Sequence, residues 1–546
     1  MRILIIGGMT AGPKVAARAR RLLPEAEITV VERGPSASIA SCGIPYFVGG
    51  HIRDFNQLSL TSYGVQRDPQ YFANERAVRV LTGLDAVAID RKNKQVALVR
   101  ADGGERFSLA YDKLVLATGA GPAPVPEGVY SLGDPGEARN LVEAAAGAKQ
   151  AVVLGAGVTG MELASGLLKR KLWVSLVEPG DQILPGVLDR ELALLLAYRL
   201  EEEGLEIHTG QKVSRLDANT VVTERETFEA DLVIATGERR PETGMARAAG
   251  LAIGPTGAVA VDRHLATSDP DIYAVGACAE SRHLVSGQPV LVSSAGAANR
   301  QARVAGDNLA GIASVFEGVL GTAVLNISGW NVGRTGLGEE EARALGFDVV
   351  SAVCANHDRS HFYPGHDNLI LKLIVERGSR RLLGAQGLGQ GDVVKRIDVA
   401  ATVLSFGGTV DQLAVLDLGY APPYSMPADP LQQTADVVRN KLGNVAQTVT
   451  AAELHGLLAS SRDFVLLDVR TADQFQYRHI GDPRSVQLAL GELRGRLSEI
   501  PRDKPVVVVC PLGTRAYEAA RILTGAGFPD VRFLEGGLQG WPYDLD

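Results

Sequence analysis

Two stretches of the chain share one order of apolar and polar positions. Arg2–Ile6 is an apolar run, followed by Gly7-Gly8-Met9-Thr10-Ala11-Gly12, an alanine-rich segment and a second apolar run over residues 28–31 that ends on Glu32. Residues 151–154, then Gly155-Ala156-Gly157-Val158-Thr159-Gly160, a helical segment and residues 174–177 ending on Glu178 repeat the pattern. Short apolar runs bounded by glycine turns predict strands, and the spacing between them predicts a helix. Each unit is followed by a matching element, DKLVLATG over residues 112–119 and DLVIATG over residues 231–237. The second strand–helix–strand unit is therefore inserted into the first. The first resumes near Val259, where TSDPDIYAVGACA (residues 267–279) reads as a strand closing on a glycine turn.

The pattern changes after residue 322. An apolar run at residues 369–375 and a helical stretch at residues 392–406 predict a mixed α/β domain. Residues 440–447 read as a linker. The last stretch, from Thr448 to Asp546, has strands at residues 464–467 and 505–509 and is about one small domain long. A chain of 546 residues holds several such cores. A net charge of −8 argues against nucleic acid as a partner, because phosphate binding needs a basic face. No apolar run is long enough to cross a membrane, and the short N-terminal run enters a glycine turn, so a cytoplasmic protein is expected. The four cysteines, Cys42, Cys278, Cys354 and Cys510, form no CxxC pair, which argues against both a zinc site and a paired redox disulfide.

Both glycine fingerprints fit Rossmann-type dinucleotide sites. Their glycines permit a tight turn and let backbone approach a pyrophosphate at a helix N-terminus. Met9 stands where the first fingerprint would have its middle glycine. Glu178 can accept from both hydroxyls of a ribose and would repel a 2′-phosphate, which favours NADH. Arg170 and Lys171 lie nearby in sequence and keep NADPH open. Cys42, in SIASCGIPYFVGG (residues 38–50), follows the first unit closely, where a turn leads into a helix. Helix N-termini favour thiolate over thiol.

GGMTAGPKVAARARR, the SCGIPY segment, GAGVTGMELA and YAPPYS together resemble the coenzyme A-disulfide reductases and their persulfide-reductase relatives, over about the first 440 residues. The last domain resembles rhodanese, with Cys510-Pro511-Leu512-Gly513-Thr514-Arg515 between a four-valine strand and a helix. The resemblance implies an α/β chain of nested Rossmann-like domains. FAD would sit in residues 1–118 and 245–321 and NAD(P)H in 119–244, followed by an α/β dimerisation domain at 322–440, a linker at 441–447 and a rhodanese-like domain at 448–546. Gly7, Gly8, Ala11, Gly12, Glu32, Arg33, Ser41, Thr118, Gly119, Gly276 and Ala277 would line the FAD site. Gly155, Gly157, Gly160, Glu178 and Gly237 would hold NAD(P)H, with Glu162 beside nicotinamide and flavin.

The resemblance further implies that Cys42 forms a mixed disulfide or persulfide. Tyr363 and Tyr420 would be phenols near it, Tyr420 coming from the partner subunit of a homodimer. Lys14, Arg18, Arg21, Asn299 and Arg303, at helical spacings, would meet the phosphates of coenzyme A, with Ser38 and Ser41 as further contacts. Two departures stand out. Ala428 replaces a lysine after YAPPYS, and Ala277 replaces an aspartate whose loss should weaken FAD by about 1–3 kcal/mol. In the rhodanese-like loop, backbone N–H groups and Arg515 would stabilise a thiolate and then a persulfide on Cys510. The HIPGA turn of that family is altered here to His479-Ile480-Gly481-Asp482. His357, His361 and His366 read as loop histidines with no metal between them, and Cys278 and Cys354 as structural. The reading is thus a flavin-dependent NAD(P)H persulfide, polysulfide or coenzyme A disulfide reductase with a sulfurtransferase domain. The alternatives are an NADH oxidase or peroxidase cycling through a cysteine sulfenic acid, and a non-reductive sulfur carrier or redox sensor.

Overall fold

The computed structural model describes residues 1–100, 103–133, 135–237 and 239–546. Their packing defines two compact units, residues 1–179 with 208–319, and residues 180–207 with 320–546.

The first unit is built on a parallel sheet in the order Ile272–Ala274, Lys113–Leu116, Arg2–Ile6, Glu27–Val31, Arg79–Leu81. Both faces of the central strand are covered, so its residues form the near-continuous apolar run expected of a buried parallel strand. Ile272–Ala274 lies more than 150 residues after its neighbour Lys113–Leu116, as the nested reading requires. Helix Ala11–Leu22 buries Val15, Ala16 and Ala19, and these small side chains let helix Ala295–Leu309 pack into the same core. The inserted module pairs Trp173–Glu178, Gln150–Leu154 and Leu232–Ala235, again in parallel.

The second unit contains a five-stranded antiparallel sheet, ordered Ala323–Ile327, Trp330–Gly336, Leu382–Gly389, Asn368–Glu376, Val349–His357. A second sheet is parallel, ordered Thr448–Val449, Val531–Leu534, Val506–Val509, Val465–Asp468, Ser485–Gln487. Two segments near the expected boundaries are packed rather than loose. Helix Pro430–Leu442 runs into the segment 441–447 read as linker, and Ala446 is buried in the core of the C-terminal sheet. Residues 180–207, which lie within the expected NAD(P)H module, make most of their contacts with the second unit. The physical reason is Lys372. Its ammonium is buried in the strand Asn368–Glu376 and pairs with Asp189 at 2.7 Å, Glu191 at 2.5 Å and Glu339 at 2.8 Å.

The altered turn at His479-Ile480-Gly481-Asp482 has a compensating clamp. Arg484 pairs with Asp482 at 2.7 Å and donates to the carbonyls of Leu457, Leu458, Ser460 and Arg462, which end helix Ala451–Ala459 and the segment after it.

Candidate functional site

The two glycine loops have the same geometry. A Cβ on Gly12 would lie 1.9 Å from the Gly7 carbonyl oxygen, and one on Gly160 would lie 1.8 Å from that of Gly155. Gly7 and Gly155 have φ of +108° and +97°, which L side chains rarely adopt. Only glycine permits either turn. In each case the acid closing the second strand is held against the loop. Glu32 accepts from the N–H of Gly8 at 2.6 Å and of Gly34 at 2.8 Å, and Glu178 accepts from the N–H of Ala156 at 2.7 Å. Around Gly119, Gly157 and Gly237 a Cβ would meet open space, so ligand can approach that backbone.

The surrounding site residues are placed as follows. Ala11 is buried, Arg33 and Ser41 are exposed, and Thr118 Oγ1 donates to the Glu242 carbonyl at 2.7 Å. The Gly276 N–H donates to the buried Gln301, and Ala277 is half-buried beside it with no acid of its own to offer. Arg170, read as a counterweight to Glu178, instead donates to the Val48 carbonyl. The residues present fit two dinucleotides, with a tight glycine turn at each loop and an acid at the end of the neighbouring strand held against it.

Cys42 is exposed and lies in a 3₁₀ turn, Ser41–Gly43, that leads into helix Ile44–Val48. The expected helix is only this one short turn. It crosses helix Val158–Lys169 at glycine. A Cβ on Gly166 would lie 2.8 Å from Gly49 Cα. That close approach brings Tyr46 to Glu162, and the phenol donates to the Glu162 Oε1 at 3.0 Å. Tyr46 is pushed up to about 12, first by burial, then by the charge and hydrogen bond of Glu162, and also by the Cys42 sulfur. Burial raises the Glu162 carboxyl, with the Tyr46 hydrogen bond opposing. Of this pair, the sequence pointed to Glu162 and not to Tyr46. Its one available signal was its position one helical turn after Cys42.

On the paired helices, Lys14 and Arg21 are exposed, whereas Arg18 is in an ion pair with the buried Asp307 at 2.6 Å. Arg303 is exposed, and Asn299 donates back to the Ala295 carbonyl at 2.7 Å. Ser38 is buried, with φ +58°, and its N–H donates to the Gly8 carbonyl at 2.8 Å.

In the second unit Tyr363 and Tyr420 are exposed. Tyr420 lines a cavity of about 530 Å³ with Arg359, Lys395 and Tyr424, and Ala428 is exposed nearby in sequence. The His366 Nδ1 lies 3.1 Å from the Tyr363 carbonyl oxygen, and His357 and His366 stack edge to face at 5.0 Å. Among the described residues the one acidic grouping close enough to hold a metal is Asp189, Glu191 and Glu339, and the Lys372 ammonium contacts all three.

Cys510 is buried at the end of strand Val506–Val509. Its sulfur accepts from the N–H of Gly513 at 3.1 Å and of Ala516 at 3.3 Å, in a loop where Gly513 has φ +97°. Two N–H groups aimed at one sulfur stabilise negative charge there. Arg515 donates to Gln474 at 3.1 Å. The Cys278 sulfur faces the carbonyls of Leu116 and Val275 in the core. Burial, with Glu535 adding, pushes the Cys354 thiol up to about 12.

Residues 1–302 match the model of the pyridine nucleotide-disulphide oxidoreductases, residues 322–429 match the dimerisation domain of the same family, and residues 450–543 match the rhodanese-like domain. The chain belongs to the pyridine nucleotide-disulphide oxidoreductase family. Within it, a NAD-dependent persulfide reductase from A. fulgidus is 41% identical, with a TM-score of 0.94 over 99% of this chain and 100% of that one. The reduced CoADR-RHD of Bacillus anthracis is 31% identical, with a TM-score of 0.91 over 99% of this chain and 97% of that one. A Methanocaldococcus jannaschii protein named NADH oxidase is 32% identical over 81% of this chain and all of its own length. This oxidoreductase is thus an α/β enzyme with nucleotide-binding, dimerisation and rhodanese-like domains, and FAD and NAD(P)H are the cofactors of its family. No helix among the described residues is long and apolar enough to cross a membrane.

Proposed function

We propose that this oxidoreductase uses NAD(P)H to reduce sulfane sulfur, as persulfide, polysulfide or a coenzyme A persulfide or disulfide, through Cys42, and that Cys510 carries sulfane sulfur. The observation that carries this reading is the pairing, in one chain, of an exposed Cys42 with a buried Cys510 whose sulfur receives two backbone N–H groups. The full-length likeness to the persulfide reductase of A. fulgidus and to the rhodanese-bearing protein of B. anthracis supports it.

When bound, FAD and NAD(P)H supply the two electrons that cleave a sulfur–sulfur bond. The chain's own residues prepare that bond. The Cys42 thiolate attacks the outer sulfur of R–S–SH, forming Cys42–S–SH and releasing RS⁻. Two electrons then cleave Cys42–S–SH to the Cys42 thiolate and HS⁻. Lys14, Arg21 and Arg303 are exposed cations suited to the phosphates of a coenzyme A carrier, while Arg18 is already paired and contributes less. The dimerisation domain implies a homodimer. In our reading, Tyr363 and Tyr420 are the phenols near Cys42, Tyr420 coming from the partner subunit. Glu178 favours NADH over NADPH.

The test is anaerobic NADH turnover with polysulfide, coenzyme A persulfide and coenzyme A disulfide. Cys42→Ser should abolish all three activities, and Cys510→Ser should impair use of sulfane donors while sparing the disulfide. Full activity in Cys42→Ser contradicts the mechanism. NADH consumption that needs only oxygen and outpaces polysulfide reduction favours the oxidase reading instead.

A further inference from the structure

The largest fully buried side chain among the described residues is a charged one, Arg396. It lies in the first turn of helix Val394–Ser405. A cation there faces the positive end of the helix dipole, so helix formation does not call for it. A buried guanidinium is costly unless it is paired and hydrogen-bonded. Arg396 finds its partners on three separate segments. Nη2 donates to the Asp358 carbonyl at 2.7 Å, and Nη1 to the Asp392 carbonyl at 2.9 Å. Nη2 and Nε donate to the Asp429 carboxylate at 2.9 Å and 3.2 Å, and Nη2 donates to Ser425 Oγ at 3.3 Å.

Each of these segments carries part of the site. Asp358 closes the loop that bears Tyr363. Its N–H donates to the Asp367 carbonyl at 2.9 Å, and its Oδ1 accepts from the Asp367 N–H at 3.0 Å. Asp392, just before the Arg396 helix, is drawn onto the same loop, because Asp358 Oδ2 accepts from its N–H at 3.3 Å. Ser425 and Asp429 follow Tyr420 and Tyr424. Ser425 Oγ donates to Asp429 at 2.8 Å, and Asp429 caps helix Pro430–Leu442 by accepting from the Leu431 N–H at 2.9 Å. The same three segments supply Arg359, then Asp392 with Lys395, then Tyr420 with Tyr424 to the cavity of about 530 Å³. One guanidinium thus ties together the three walls of that cavity.

We propose that Arg396 is a positioning residue for the sulfur half of the reaction, setting the Tyr363 loop and the Tyr420 cavity in one arrangement. The proposal rests on the reading of Tyr363 and Tyr420 as the phenols near Cys42. Arg396 acts through the backbone and side chains that anchor their segments. Its planar fork sends donors in several directions at once, which a lysine ammonium on a single stem does not match. Arg396→Lys therefore keeps the charge against Asp429 and gives up the fork.

The experiment compares flavin-loaded wild type, Arg396→Lys, Tyr363→Phe/Tyr420→Phe and all three substitutions combined. Anaerobic stopped flow follows two steps separately, flavin reduction by NADH and reoxidation of the NADH-reduced protein by polysulfide. Arg396→Lys should slow reoxidation by about 10²-fold and leave flavin reduction at the wild-type rate. In the double-phenylalanine background it should cost little more, because residues that act as a unit are not additive. A readout apart from turnover is hydrogen exchange, which should quicken in residues 358–367 and 419–425 of Arg396→Lys and not at the two glycine loops. Unchanged exchange in both segments, equal slowing of both steps, or lower thermal stability with both steps at wild-type rates overturns the proposal. So does the same slow reoxidation in Glu339→Gln, which loosens the Lys372 cluster of the same unit, or a full further loss in the double-phenylalanine background. If Arg396→Lys does not fold, Ser425→Ala decides. Slower reoxidation with unchanged flavin reduction supports the proposal, and wild-type rates overturn it. A slow Tyr363→Phe/Tyr420→Phe beside an unimpaired Arg396→Lys removes the positioning role alone, whereas wild-type reoxidation in Tyr363→Phe/Tyr420→Phe removes the reading beneath it.

Discussion

Lys372 shows what a single residue can impose on this chain. A charge in the otherwise apolar strand NLILKLIVE is costly unless it is paired, and it finds three carboxylates from two distant segments. Burial acts to lower the Lys372 ammonium, but Glu191, Asp189 and Glu339 hold it above its ordinary range. Burial likewise acts to raise the Glu339 carboxyl, and Lys372, with hydrogen bonds from Ser351 and Arg343, holds it at about 2. Lys372→Met leaves three carboxylates facing one another and should cost about 3–5 kcal/mol in urea denaturation. A depressed carboxyl stabilises the fold above its unfolded value of 4.5, and that stability is lost as pH falls towards about 2. The stability gap between wild type and Glu339→Gln should therefore be widest above pH 4.5 and close below it. The glycines and acids of both nucleotide loops were legible in the sequence, because a tight turn constrains residues a few positions apart. Tyr46–Glu162, 116 residues apart, was not, because a tertiary crossing creates it.

Among the elements, two glycine contacts separate binding from positioning. A methyl group on Gly160 would meet the Gly155 carbonyl backbone, so Gly160→Ala should abolish NADH binding in calorimetry while flavin content persists. A methyl group on Gly166 instead pushes the Cys42 helix away. Gly166→Ala should cost about 1–3 kcal/mol of stability and break the Tyr46–Glu162 contact. Residues 443–447 do connect helix Pro430–Leu442 to strand Thr448–Val449, but the connection is anchored at both ends. Residues 440–447 read as a connector, but Lys441, in the last turn of helix Pro430–Leu442, pairs with the buried Glu535, which also accepts from Thr448 at 2.6 Å and from the Val353 N–H at 2.9 Å. Nothing within that segment announces a partner at position 535.

At the scale of the whole molecule, Glu535 makes the rhodanese-like domain part of the second unit. It precedes Gly536 and Gly537, whose turn packs on the carbonyls of Cys510 and Pro511, and the Leu538 N–H donates to the Cys510 carbonyl at 3.0 Å. Removing the Glu535 carboxylate leaves Lys441 and the Val353 N–H without their partner, so Glu535→Ala should cost about 3–5 kcal/mol and loosen the Cys510 loop in hydrogen exchange. The succession of nested nucleotide modules, dimerisation domain and rhodanese-like domain was readable from repeated strand patterns and loop chemistry. The packing of residues 180–207 with the second unit was not, because it depends on ion pairs across long sequence separations. The central claim is that sulfane sulfur passes onto Cys42 and is reduced there. The most direct measurement is to load the protein anaerobically with polysulfide, alkylate it before and after adding NADH, and weigh the Cys42 and Cys510 peptides. The account predicts an extra sulfur on the Cys42 peptide that disappears with NADH. A Cys42 peptide that never carries sulfur while sulfide production continues would contradict it.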